Sequence, residues 1–167
     1  ANLGSGYELW KYDNSTTDSL RSSKVYDGWI LESSETSSAG GSMNSTQTAF
    51  LVGDNAQDKQ YRSILSFDTS TLPDNAVILQ VNLKIKQQSV VGVNPFTTHG
   101  LLIVDVFKGA LGGNSTLQLG DFQAAASKSA VGAIPNSPVG GWYTKTWTGG
   151  VFAYVNKTGL TQFRLRF

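Results

Sequence analysis

The chain has 167 residues, of which 40% are hydrophobic and only 15% charged, and its net charge is +1. Lys and Arg are scattered, so no basic stripe exists to release counterions from a phosphate backbone, and nucleic acid is excluded as a partner. No apolar run approaches the roughly 18 residues that a membrane span needs. Cysteine is absent, which removes a thiol nucleophile and a Cys-based zinc site but leaves export to an oxidising compartment open.

The length suits one domain, and a chain of about 150 residues buries roughly 70% of its unfolded surface. The charged share lies below the roughly 25% of ordinary globular domains, and Ser, Thr, Asn, Gln and 18 Gly fill the gap. Such a surface is expected of a secreted or cell-surface β protein. The start at Ala1, with no Met and no charged leader, reads as a mature N-terminus left by signal cleavage.

In chain order, residues 1–24 are a polar N-terminal extension with one strand candidate, residues 7–12 (YELWKY). There Leu9 shares a face with Tyr7 and Lys11, and Trp10 shares the other with Tyr12. Residues 25–167 are expected to form a β-sandwich. Residues 25–32 (VYDGWILE) read as a strand, 33–45 as a Ser/Gly-rich loop, 47–53 as a strand, and 54–58 (DNAQD) as an acidic loop. Residues 61–67 are strand-like. Residues 79–86 are strictly so, because Leu79, Val81, Leu83 and Ile85 alternate with Gln80, Asn82, Lys84 and Lys86. DTSTLPDN between them is a cluster of turn formers. Two such strands, read as a central antiparallel pair, need a second sheet over their apolar face.

Residues 90–100 are predicted to be a loop carrying Pro95 and the one histidine, His99. Residues 101–107 are apolar on both faces and suit a central strand. Residues 122–130 (FQAAASKSA) predict a short helix capped by Asp121. Residues 142–147 form a strand, 151–155 a further apolar run, and 161–167 (TQFRLRF) a last strand. Short strands separated by Gly, Ser and Asn turns predict an all-β fold, a jelly-roll β-sandwich of two antiparallel sheets with one short helix.

Asp27-Gly28, Val52-Gly53-Asp54, Tyr61-Arg62-Ser63, Leu65, Phe67-Asp68, Leu72-Pro73, Ala76, Ile78, Val81, Leu83 and Ile85 follow one another in an order and spacing that resembles the DNRLRE, or disaggregatase-related, β-sandwich domains. The closing 161–167 segment is similar to the RLRF element of that family, so the resemblance covers about residues 25–167. It implies a secreted, non-catalytic module of large extracellular and surface-layer proteins, of which some are classed as carbohydrate-binding modules. In the family the RLRF strand is followed by one or two further strands that close the sheet. Here the sequence stops at Phe167, so either it continues into those strands or something else is expected to fill a slot beside Phe163, Leu165 and Phe167. Residues Tyr7, Leu9, Trp10 and Tyr12 are the candidate filler, from the same domain or from a neighbouring subunit.

Catalytic chemistry is thinly supplied. An acyl-transfer triad needs a base beside its nucleophile, and His99 sits in a predicted loop. A glycosidase needs two carboxylates across a cleft. There are only three Glu (Glu8, Glu32, Glu35), and the Asp residues read as turn and cap residues. The chain is therefore not expected to be an enzyme. Asp54 and Asp58 could contribute oxygens to a structural calcium, which takes six to eight such ligands. Surface aromatics hold sugars by stacking on the apolar face of a pyranose. Tyr143 and Trp147 share one face of their strand with Lys145 between them, which makes a candidate carbohydrate platform, unless that face is core. Sequons begin at Asn14, Asn44, Asn114 and Asn156.

Two functions fit. In the first, the protein is a structural and adhesive subunit that polymerises by strand donation into an extracellular filament or surface matrix, a homo-oligomer. In the second, it is a carbohydrate-binding module with a polysaccharide partner.

Overall fold

The computed structural model describes residues 16–167. The expected donor strand (Tyr7, Leu9, Trp10, Tyr12) and the sequon Asn14 lie outside the described residues.

The fold is an all-β sandwich. Its strands are β1 (Gly28–Glu32), β2 (Gly40–Asn44), β3 (Gly53–Asp54), β4 (Gln60–Asp68), β5 (Val81–Lys86), β6 (Leu102–Lys108), β7 (Lys128–Ile134), β8 (Trp142–Trp147) and β9 (Leu160–Arg166), with one short helix, α1 (Pro95–Thr98). All pairings are antiparallel. A seven-stranded major sheet runs β2-β1-β4-β9-β6-β7, with β3 also on β4, and a two-stranded minor sheet pairs β5 with β8. No helix among the described residues is long and apolar enough to cross a membrane.

The two strand segments read as a central pair do not pair. The 61–67 segment lies in β4 of the major sheet, and of the 79–86 segment only Val81–Lys86 forms a strand, β5 of the minor sheet, Leu79 being exposed ahead of it. The turn-rich segment between them passes from one sheet to the other, so the two apolar faces meet across the sandwich rather than side by side. Leu65, Phe163, Leu165, Val104 and Val106 of the major sheet share one buried core with Leu83, Ile85, Tyr143 and Trp147 of the minor sheet. At the seam, Trp147 donates its indole N–H to the Val131 carbonyl at 2.8 Å. The indole lies so close to β7 that a Cβ on Gly132 would stand 2.9 Å from it.

The other face of the major sheet is also covered, by the segment 109–127. Ile30, Ile64, Leu111, Leu117 and Phe122 form a second, smaller core there. Around it the polar side of β9 is buried rather than wet. Gln162 accepts from the Leu111 N–H and donates to the Ser66 hydroxyl. Arg164 is 5% exposed and Asp105 1%. Arg164 donates to the Asp105 carboxylate and to the carbonyls of Asp121, Phe122 and Ala124, which pins the covering segment to the sheet. Arg166 and the Ala130 N–H complete the partners of Asp105.

Four local expectations are corrected. Residues 122–130 are not a helix: Asp121 caps a short turn, Leu119–Phe122, through the Gln118 N–H, and Lys128–Ile134 pairs with β6 as β7. The helix propensity of Ala and Lys is a weak prior that ladder bonds to a neighbouring strand override. The 33–45 loop contains β2, whose GGSMN sequence carries no apolar alternation and is held by its pairing to β1. Of residues 47–53 only Gly53 enters a strand. The 151–155 run makes a short turn, Phe152–Tyr154, rather than a strand.

Candidate functional site

β5 and β8 are joined in a register that sets Val81 against Trp147, Leu83 against Lys145 and Ile85 against Tyr143 on one side of the ribbon. Asn82 against Thr146, Lys84 against Thr144 and Lys86 against Trp142 make up the other. Since side chains alternate along a strand, the burial of Leu83 and Ile85 fixes the first set as inner and the second as outer. Tyr143 is 5% and Trp147 7% exposed, whereas Trp142 is 42% exposed. The expected platform of Tyr143, Lys145 and Trp147 is therefore corrected: its two rings are core. Tyr143 stacks on Phe96, Trp147 stacks on Phe163, and the Tyr143 hydroxyl donates to Asn136. Lys145 is half-buried and reaches along the Trp147 ring.

The ring that faces solvent is Trp142. The Lys84 and Lys86 ammonium groups stand over its ring, 5.5 and 5.7 Å from the centre, near the outer limit of cation–π contact. Lys84, Trp142 and Thr144 line a shallow depression of about 350 Å³ with Ser137 and the exposed Val139. No carboxylate lines it, and among the described residues neither lysine is in an ion pair.

The edges of the ribbon are its second feature. The Gln87 N–H donates to the Gly141 carbonyl, which sets the phase of the ladder. Residues of the same parity bond towards β8, and Asn82, Lys84 and Lys86 turn their N–H and C=O groups to the opposite side. Among the described residues nothing pairs with that side of β5. On β8, only Trp142 has its outward groups taken, by Val139.

The expected acceptor strand lies elsewhere. Phe163 and Leu165 belong to β9, which is bonded to β4 on one side and β6 on the other, and both are buried. Phe167 follows β9 and packs edge-on against Phe96. The edge beside Phe163 and Leu165 is thus occupied by the protein's own strands, whereas among the described residues the outward side of β5 has no strand beside it.

Asp54 and Asp58 line a separate open depression with Glu32, Glu35, Arg62 and His99. Asp54 is engaged with His99 Nε2 at 3.0 Å, and the buried Glu32 accepts from the Ser38 and Gln60 N–H groups. Burial and the nearby guanidiniums of Arg164 and Arg166 bring Arg62 down to about 10. Among the described residues no three His, Cys, Asp or Glu side chains converge as a metal would require. The sequon asparagines Asn44, Asn114 and Asn156 each accept a hydrogen bond from the N–H two residues on, so each side chain closes its own Asx turn.

Sequence reasoning named Trp147 and missed Trp142. The parity of residues 142–147 is symmetrical, aromatic at both ends and polar between. The signal that resolves it lies on β5, where Lys84 and Lys86 mark the wet face. No family model, no curated protein and no solved structure matches this chain, so the resemblance to DNRLRE domains rests on the residues quoted for it.

Proposed function

We propose that the protein is an exported, non-catalytic structural subunit that assembles with copies of itself by strand addition to the free edge of β5. The observation that supports this is the imbalance of the sandwich. A continuous major sheet faces a ribbon of two strands, and the outward N–H and C=O groups of Asn82, Lys84 and Lys86 have no partner among the described residues. An unpaired edge of this kind is a template for a further strand, which brings ladder hydrogen bonds and side chains for the core. Lys84 and Lys86 on that edge discourage indiscriminate pairing, so the occupant has to be specific.

The occupant in this reading is the segment 7–12 of a second copy, equal in length to β5 and alternating Tyr7 and Leu9 with Trp10 and Tyr12. The start of the described chain is tied to the major sheet, where the Ser23 N–H donates to the Ser66 carbonyl and Asp27 accepts from the Ser66 N–H. A head-to-tail contact of this type grows fibres rather than closed rings.

The test compares the full chain with a variant lacking residues 1–12, by light scattering, electron microscopy and amide hydrogen exchange. The full chain is expected to form filaments with slow exchange at Asn82, Lys84 and Lys86. The deletion is expected to stop assembly and make those amides fast. A full-length monomer with protected β5 amides would mean that the strand docks within its own subunit, and filaments of the deletion variant would remove the reading altogether.

A further inference from the structure

The end of the sandwich where β5 finishes and β8 begins gathers apolar side chains at the surface. Val90, Val91, Val93 and Val139 are exposed there, Val91 to 92% and Val139 to 82%. The first three lie on the segment 87–95, which leaves β5 at Gln87 against Gly141 and reaches the major sheet at Pro95 against Gly53. We propose that this end pairs with the same end of a second copy, across a two-fold axis through the valines. The contact is made by turns and side chains rather than by the β5 ladder, and it uses nothing of residues 1–12.

Apolar side chains clustered in the open mark an interaction surface, whereas single ones need no explanation. Both turns stand clear of the body, since a Cβ on Gly92 or Gly140 would meet no atom within 4 Å. Neither 87–95 nor 135–142 carries a charged residue, so the centre of the contact buries no ion. Trp142, at the edge of the patch, has its N–H and C=O both bonded to Val139. That holds the turn in shape before any partner arrives, and such preorganisation lowers the ordering cost of binding.

The rims decide the partner. On the minor-sheet side stand Lys84 and Lys86, seated over the Trp142 indole and, among the described residues, in no ion pair. On the major-sheet side Glu32, Glu35, Asp54 and Asp58 line a depression whose one permanent cation is Arg62. Glu32 and Asp54 are engaged within the chain. Glu35 and Asp58 are exposed and, among the described residues, in no ion pair. A lipid surface or a polyanion would be attracted by one rim and repelled by the other. A second copy supplies both signs. A half-turn about an axis in the contact plane, across the line joining the rims, sets the lysines of each molecule towards the carboxylates of the other. A surface that is apolar at its centre and self-complementary at its rim suits an isologous pair, and the rim charges select the partner and fix the register.

The chain has no cysteine, so one introduced thiol reports the contact whether or not fibres form. In the full chain, Val91→Cys should give a disulfide-linked pair on mild oxidation, well above the yield from Met43→Cys, exposed on β2. Added to Val91→Cys, the double change Lys84→Glu with Lys86→Glu should cut that yield at least about tenfold, and so should Glu35→Lys with Asp58→Lys. Mixing these two variants should restore it, because each rim again meets its opposite charge. A yield from Val91→Cys no greater than from Met43→Cys overturns the proposal, as does a yield indifferent to the charge changes or not restored by mixing. Binding to phosphatidylglycerol vesicles by a chain that gives no such disulfide also overturns it and assigns the valines to a lipid surface. Fibres without this disulfide would leave strand addition standing and remove the two-fold pair; the disulfide without fibres would do the reverse.

Discussion

In the major sheet, β9 is hydrogen-bonded along both long edges and covered on both faces; in the minor sheet, β5 is bonded along one edge and covered on one face among the described residues. The two are built from similar alternating sequences, yet one holds the molecule together and the other presents it to its surroundings. The difference comes from what lies over the polar side of each strand. Over β9, the segment 109–127 brings carbonyls that receive Arg164, and Asp105 neutralises its charge. Over Lys84 and Lys86 there is solvent. Polar alternation therefore marks a wet face only where no other part of the chain returns to cover it.

The comparison can be broken at its strongest point with Trp147→Ala. The indole fills the seam between the sheets and bonds the Val131 carbonyl, so its loss should cost about 3–5 kcal/mol in denaturant unfolding. A small effect would mean that the ribbon is only loosely seated on the major sheet. Asp105→Asn comes next. It strands the buried Arg164 guanidinium, and removing one partner of a buried pair costs about 3–5 kcal/mol. If unfolding midpoints barely moved, the buried network would be incidental to the fold.

The same carboxylate gives a pH dependence. Burial pushes Asp105 up, but the hydrogen bonds from Arg166 and the Ala130 N–H, with the charges of Arg164 and Arg166, leave it below the ordinary carboxylate value. A depressed folded-state pKa means stability that is fully present above the unfolded value, roughly 3.9, and lost as pH falls through the folded one. Asp121 is shifted the opposite way, raised by burial against the lowering effects of the Gln118 N–H and Arg164. Its contribution favours the folded state in acid and fades as pH rises through its raised pKa. Thermal melts from pH 6 downwards should thus show an acid limb that flattens in Asp105→Asn and steepens in Asp121→Asn. The smallest expected effect is that of Trp142→Ala, within about 0.5 kcal/mol, as for surface positions away from special features. Set beside Trp147→Ala, it measures how differently one strand treats its two ends.

The sequence made β5 readable because its alternation is strict and its wet face carries Lys84 and Lys86. β4, β8 and β9 were legible as strands by a looser alternation and β6 as a run apolar on both faces, and the sandwich followed from them. Which strands share a sheet was not legible, since the apolar faces of β4 and β5 look alike whether they lie side by side or opposite. β2 was hidden because Gly40 to Asn44 is placed by backbone bonds to β1 rather than by apolar side chains. β7 was misread through Ala, Ser and Lys residues whose local preference gives way to the ladder with β6. The outer face of the ribbon needed one relation that no single strand contains: the register that puts Lys86 opposite Trp142.

Gly132 has a reach beyond its own strand. The indole of Trp147 rests where a glycine leaves room for it, and a slip of β8 by one residue would bring Thr146 to that spot and turn Trp142 inward. The phase of β8 is thus read off a template on the opposite sheet, much as a key is read by the ward it must clear. A methyl group placed at Gly132 would press on Lys145 and the Trp147 indole and touch neither Lys84, Lys86 nor the exposed tryptophan, yet it would unsettle the outer surface by removing the landmark that tells β8 which of its tryptophans belongs to the outside.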